Sequence, residues 1–453
     1  MTRPLPSRAA LSRRALLLGA TALLGGCGDS DWFDWDSVLS SPKHPLPGKR
    51  ENVLADATGL TPAKDAPRVV LPPPVLNAAW PQEGGNPAHL MGHLALDETI
   101  APLWQAKIGE GGDFRHELTA PPIVAEGLVF TMDSDANLTA HDLVSGAQRW
   151  RLVTRAPKDR STNIGGGIAA DGDLLYAATG RGDLLAVELG TGKTRWRVEA
   201  GMPFRSAPTV ARGRLYVTTM DQKLHAYSCN DGKELWNHPA TAADTAALGL
   251  AAPAVIEDLV IGGFGSGELI AVKADSGTLV WSDTISAGGD QSRLADIASI
   301  TALPVADGDT VYAVGLGGMM VAIERHTGRR LWERELTSGQ TPWVAGRWAF
   351  VVTEDAEIAA IHLDDGEVGW VTSLPRYRNP KKQKDPISWI GPLLVGDRLL
   401  AAGTNGEIVS VSPYDGKILG SVTLKKTSLA LPPVAARKTV LFLTHDGILH
   451  ALR

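Results

Sequence analysis

Apolar and polar residues alternate in short runs, and one run recurs along the chain as apolar–x–Ala–apolar–x–x–x–x–Gly–x–x–x–Trp. Its copies span 137–150, 183–196, 223–236, 268–281, 319–332, 357–370 and 407–420, and a half-copy, ILHALR, occupies 448–453. Alternation with period two places Ala and the aliphatic side chains on a buried strand face. The Gly of each Thr-Gly, Ser-Gly or Asp-Gly pair supplies the positive φ that a tight turn needs. Each copy therefore predicts strand, turn, strand. Between copies a second unit recurs, small-Pro-apolar and then a run of apolar residues, as in APPIVAEGLVFT (120–131) and LPPVAARKTVLFLT (431–444). These units predict the two inner strands of the blade that follows.

The repeat Trp residues are Trp104, Trp150, Trp196, Trp236, Trp281, Trp332 and Trp370, and Gly420 fills the seventh repeat's Trp slot. Spacings of 38 to 51 residues, with about four short strands to each period, are those of propeller blades. Trp104, in IAPLWQAKIG, reads as the last strand of a blade with nothing before it. ILHALR reads as the third strand of a blade with nothing after it. The fold class is therefore all-β, an eight-bladed β-propeller of four-stranded antiparallel blades. A strand near 101–108 is expected to pair with 448–452 and close the ring, which removes exposed sheet edges. A residue required in nearly every blade is packing, so the Trp set is read as structural.

The first hundred residues have another character. Arg3, Arg8, Arg13 and Arg14 precede an apolar core from Ala15 to Leu24 that is too short to span a bilayer. Leu24-Gly25-Gly26-Cys27 matches the bacterial lipobox. Residues 1–26 are expected to be a lipoprotein signal peptide and Cys27 the lipid attachment site. Ser12-Arg13-Arg14 ahead of Leu16-Leu17 also resembles a twin-arginine export signal, so the export route stays open. Residues 27–79, acidic-aromatic (DSDWFDWDS) and then Pro-rich, are expected to be a flexible tether. WPQEGGNPAHLMGH (80–93) reads as a lead-in across the propeller, which is expected to occupy 80–453.

Charge and chemistry narrow the function. Loss of the leader's four Arg takes the formal charge from −6 to −10. An acidic chain without a basic run argues against nucleic acid as a partner. Of the two Cys, Cys27 is consumed by lipid, so Cys229 is expected to be a packed thiol and no disulfide framework exists. His141, His225, His362 and His450 fall on strand positions of the repeat. No metal-ligand spacing, nucleophile elbow or phosphate loop is present, and GLGGMM (315–320) reads as a hairpin turn. No catalytic residue and no metal site is assigned.

The Ala-x-(Asp)-x-x-(Thr/Asp)-Gly-x-x-x-Trp repeat resembles that of the quinoprotein-like propeller family, over about 80–453. That family holds pyrroloquinoline quinone (PQQ) dehydrogenases and the non-enzymatic BamB branch of outer-membrane assembly lipoproteins. The lipobox, the length and SRLADIASITALPV (292–305) make this chain similar to the BamB branch. The resemblance implies contact with the periplasmic POTRA domains of a BamA-like barrel protein through Arg293, Leu294 and Asp296, with Leu248 and Leu250 of LGLA (248–251) in a neighbouring loop. Ala298 replaces the family's second Asp, and LGLA lacks the family's Arg. The implied protein is a monomer within a hetero-complex, lipid-anchored at the outer membrane with its propeller in the periplasm. It would hold no cofactor and would assist unfolded β-barrel precursors. A periplasmic PQQ-dependent oxidoreductase, or a propeller binding another envelope component, is the alternative.

Overall fold

The computed structural model describes residues 60–113, 116–155, 161–243, 247–286, 298–424, 427–429 and 431–453. Cys27 and the leader lie outside the described residues. The chain forms eight four-stranded antiparallel sheets, as expected. Blades I to VII are sequential meanders, running from Ile123–Ala125 through Gln148–Leu152 in blade I to Trp389–Val395 through Ile418–Thr423 in blade VII. Blade VIII combines Val434–Ala436, Thr439–Leu443 and Ile448–Leu452 with Pro102–Lys107. The register Trp104↔Ala451 and Lys107↔Ile448 closes the ring. The first strand of each blade lies innermost, against the first strands of neighbouring blades. One further hairpin, Tyr377–Asn379 with Lys384–Pro386, rises between blades VI and VII. No described helix is long and apolar enough to cross a membrane.

The repeat's three fixed residues form one device. The repeat Ala sits directly opposite the Trp, as in Ala140↔Trp150, Ala322↔Trp332 and Ala360↔Trp370, and a bulge follows at once. A small residue there leaves room for the indole, and the bulge turns the outer strand. Each Trp then reaches into the next blade. Its Nε1 donates to a backbone carbonyl at 2.6–3.1 Å, from Trp104 to Leu143 O through Trp370 to Pro413 O. The ring lies on that blade's turn Gly. A Cβ on Gly146, Gly192, Gly277 or Gly366 would come within 2.6–2.8 Å of the Trp before it. The turn Gly is thus required twice, for its φ near +70° and for its bare face.

The seventh repeat departs because of ring closure. Trp370 staples blade VI to blade VII, but blade VII faces a blade whose third and fourth strands come from opposite ends of the ring's sequence. No Gly turn links them, and Ala101 and Arg453 exchange backbone hydrogen bonds at 2.7 and 2.8 Å instead. A Trp in blade VII would have no receiving turn. Gly420 stands in its slot opposite Ser410 rather than Ala.

The expected tether boundary at 79 is corrected. Residues 60–79 lie on the propeller, because they carry apolar side chains that its surface covers. Leu60 joins the core between blades V and VI, and Val69 the core between blades VI and VII. Ala63 N donates to Val368 O at 2.9 Å.

The lead-in makes a complete circuit of the inner ring. Asn77 accepts from Arg437 N and donates to Ala435 O in blade VIII. Trp80 exchanges both backbone bonds with Val124 of blade I. Ala170 N of blade II donates to Pro81 O, and Val210 N of blade III to Gln82 Oε1. Val255 N of blade IV donates to Pro87 O, and Ala306 N of blade V to Ala88 O. Trp343 Nε1 of blade VI donates to Gly92 O at 2.7 Å. Gly396 N, beside blade VII's first strand, donates to Leu94 O. Innermost strands have one row of backbone groups unpaired within the blade, and a dry unpaired N–H is costly. The lead-in supplies the missing acceptors, which need no regular strand, only carbonyls at the right points.

Candidate partner-binding site

Leu248 and Leu250 lie in the connection from blade III to blade IV. Ala247 N donates to Ser299 Oγ at 3.0 Å, and Ala251 N to Ile300 O at 3.5 Å. Ser299 and Ile300 directly follow the segment that holds Arg293, Leu294 and Asp296. Those three residues lie outside the described residues. The fold nevertheless brings the 247–251 connection against the chain that emerges from that segment. Leu250 N is tied to Arg205 O at 3.0 Å.

The two leucines have opposite roles. Leu248 is 59% exposed, whereas Leu250 is 6% exposed. Leu250, expected at the contact surface, is buried instead. An extended segment would place residues two apart on the same side; bends at Leu248 and Gly249 turn the chain between them, so only Leu248 faces outward.

Sequence reasoning missed the floor of this site. Leu248, Met220 and Arg205 line an open groove of about 360 Å³ with Gln222 and Ala247. Met220 is also exposed. Arg205 donates to Ile164 O and, at 3.2 Å, to Met220 Sδ, with no carboxylate partner among the described residues. Burial pulls its guanidinium below the usual arginine range. A cation with no counter-ion among the described residues, beside exposed Leu and Met, fits an apolar partner surface that brings an acid. Nothing in the sequence separates Arg205 from other loop arginines. Its position only becomes informative once blade III is folded against Leu250.

The central channel is another concave region. The lead-in fills it down to a cavity of about 70 Å³, lined by Trp80, Glu83, His89, Gln340, Trp343 and Pro392 among others. Burial pushes the Glu83 carboxyl up to about 7 and the His89 imidazole down to about 4. These shifts oppose each other in sign. The folded state favours protonated Glu83, so that group contributes stability below its ordinary value of 4.5 that is lost as pH rises through about 7. The folded state favours neutral His89, so that group contributes stability above 6.5 that is lost as pH falls towards 4. Their effects nearly cancel between these limits. Glu83→Gln should unmask the histidine, and its melting temperature relative to the parent should fall as pH drops from 6.5 to about 4.5. The full swing corresponds to roughly 3 kcal/mol. A difference that does not change with pH would refute this assignment.

Elsewhere, polar candidates are absorbed by structure. Cys229 is buried, and burial pushes its thiol up to about 11, which makes it unreactive. Among the described residues no three His, Cys, Asp or Glu side chains converge as metal ligands.

A family model described as outer membrane protein assembly factor BamB matches residues 155–372. Relatives of that name include one from Bordetella pertussis, 24% identical over 369 residues, covering 81% of this chain and 90% of the relative. Another, from Shewanella oneidensis, is 27% identical over 353 residues, covering 75% and 86%. Among solved structures, BamB from Moraxella catarrhalis aligns with a TM-score of 0.66 at 16% identity, over 78% of this chain and all of that one. Quinohemoprotein alcohol dehydrogenase from Comamonas testosteroni aligns at 0.63 and 12% identity, over 83% and 80%. The two structures establish the shared propeller fold. The sequence relatives carry the resemblance to the BamB branch over most of the chain.

Proposed function

We propose that this chain, a PQQ-repeat propeller similar in sequence to the outer membrane protein assembly factors, is a non-enzymatic scaffold of the β-barrel assembly machinery. Cys27 carries the lipid that holds it at the outer membrane, and the propeller works in the periplasm. Its partner is a BamA-like barrel protein, bound through the POTRA domains, and unfolded barrel precursors are its clients. The observation that carries this reading is the approach of the 247–251 connection to the residues that leave the Arg293–Asp296 segment. That connection bonds to Ser299 and Ile300 beside an exposed Leu248 and Arg205, which has no carboxylate partner among the described residues.

The reading includes no quinone. A cofactor of that size needs a pocket of about 300 Å³ or more, and the cavity that Glu83 and His89 line holds about 70 Å³. Titration of purified protein with quinone and calcium is expected to give no stoichiometric change in absorbance.

The test is the affinity of the full-length protein for the POTRA domains of the cognate barrel protein. Leu248→Asp, and charge reversal at Arg293 and Asp296, should each weaken binding by about 1–3 kcal/mol and leave the melting temperature unchanged. Leu250→Ala should behave differently. It creates a cavity and lowers stability by about 2–5 kcal/mol. Unchanged affinity in the Leu248 and Arg293/Asp296 variants would remove the site, and no binding by the parent protein would remove the partner.

A further inference from the structure

The scaffold reading uses the rim of the ring and leaves the channel cavity unexplained. That cavity holds an imidazole nitrogen without a donor and a carboxyl with no cation beside it, among the described residues. His89 is 5% exposed. Its Nδ1 lies 2.8 Å from Pro304 O, and a carbonyl only accepts, so Nδ1 carries the proton. The neutral ring therefore presents a bare lone pair at Nε2, which has no hydrogen-bond partner among the described residues. Glu83 lines the same cavity, and burial is the sole influence on its carboxyl, with no hydrogen bond or charge to offset it.

Among the described residues the surroundings supply no cation: no Lys or Arg lines the cavity, and Glu83 and His89 are its only titratable groups. Blades I, V, VI, VII and VIII contribute Pro, Leu, Gln, Thr, Trp, Gly and Val. Gln340 Oε1 and Thr341 Oγ1 already accept from Gly391 N and Leu303 N. Trp80 and Trp343 stack at 6.1 Å beside the opening. Aromatic faces attract cations.

We propose that the channel cavity binds a primary ammonium group, which donates to His89 Nε2 and to the Glu83 carboxylate while its alkyl part rests against Trp80 and Trp343. Size restricts the ligand. The space of about 70 Å³ exceeds the roughly 10–15 Å³ that one water requires. It admits an ethylammonium ion or the tip of a lysine side chain, and nothing as large as a nucleotide or a quinone. The site is independent of the assembly reading, since none of the rim residues line it. Only ionised Glu83 pairs with the ligand, so affinity should rise about tenfold per pH unit up to the carboxyl's own titration and then level off.

Ethylammonium and N-acetyl-lysine methylamide are the two probes, titrated calorimetrically into the full-length protein at pH 8. Tetramethylammonium, which has no N–H, serves as control. Saturable binding of either amine, weakened at least about tenfold in Glu83→Gln, supports the site. Ethylammonium alone identifies a free small amine as the ligand, and the lysine compound identifies a side chain inserted by a protein. Glu83→Gln keeps the shape of the side chain, and its thermal melt verifies the fold. Three results overturn the proposal. One is no binding of either amine to folded protein, which leaves ordered water as the occupant. The others are binding unchanged in Glu83→Gln, and binding of tetramethylammonium as tight as that of the amines.

Discussion

Trp332→Ala is expected to destabilise the ring by about 3–5 kcal/mol, read from denaturant unfolding. The indole is buried between blades V and VI, lies 6.1 Å from the Tyr312 ring and donates to Leu363 O at 2.6 Å. Truncation leaves a cavity and an unpaired carbonyl together. The partner substitution, Gly366→Ala, should cost about 2–5 kcal/mol. Its φ is +71°, and the new Cβ would lie 2.7 Å from Trp332 Cε3. Combining the two should cost less than the sum, because the clash disappears with the indole, and a coupling of about 0.5–3 kcal/mol is expected. Strict additivity would show that the turn Gly is required only for its backbone angle. Gly420→Trp provides the converse test. It restores the repeat consensus yet should add no stability, since blade VIII offers no Gly turn to receive the ring.

Removal of residues 60–94 should be more damaging than any single substitution. The amides of Val124, Ala170, Val210, Val255 and Ala306 would each lose an acceptor. Trp80 and Leu94, both buried, would leave the core they share with blades I, VII and VIII. Water entering the opened channel offsets part of the loss, and a net cost on the order of 5–10 kcal/mol remains. Hydrogen exchange provides a direct reading. In the intact protein these five amides should exchange as slowly as the central strands, although they lie on the innermost strand of each blade. In the truncated protein they should exchange orders of magnitude faster. Equal melting temperatures for the two proteins would refute a structural role for the circuit.

The repeat made much of this molecule legible. Its Gly, Ala and Trp are local requirements, and each position states its own need: a positive φ, a small side chain opposite a bulge, and a ring for the next blade. The complementary fragments near 104 and 448 gave the closure. Cys229 read correctly as a packed thiol. The candidate site was less legible. Leu248 and Leu250 are the same residue type two positions apart, and only the folded connection separates the exposed one from the buried one. Arg205 carried no signal at all.

The sequence by itself determined the blade count, the strand–turn–strand units and the segments that close the ring, because these depend on side chains at fixed local spacing. Only the tertiary structure decided that residues 60–79 lie on the propeller, that the lead-in touches every blade, and that Glu83 and His89 share a cavity. The physical reason lies in the bonds that hold the lead-in. Most join backbone N–H to backbone C=O, so they leave no mark on residue type. Their partners lie hundreds of residues away in the chain, as Arg437 does from Asn77.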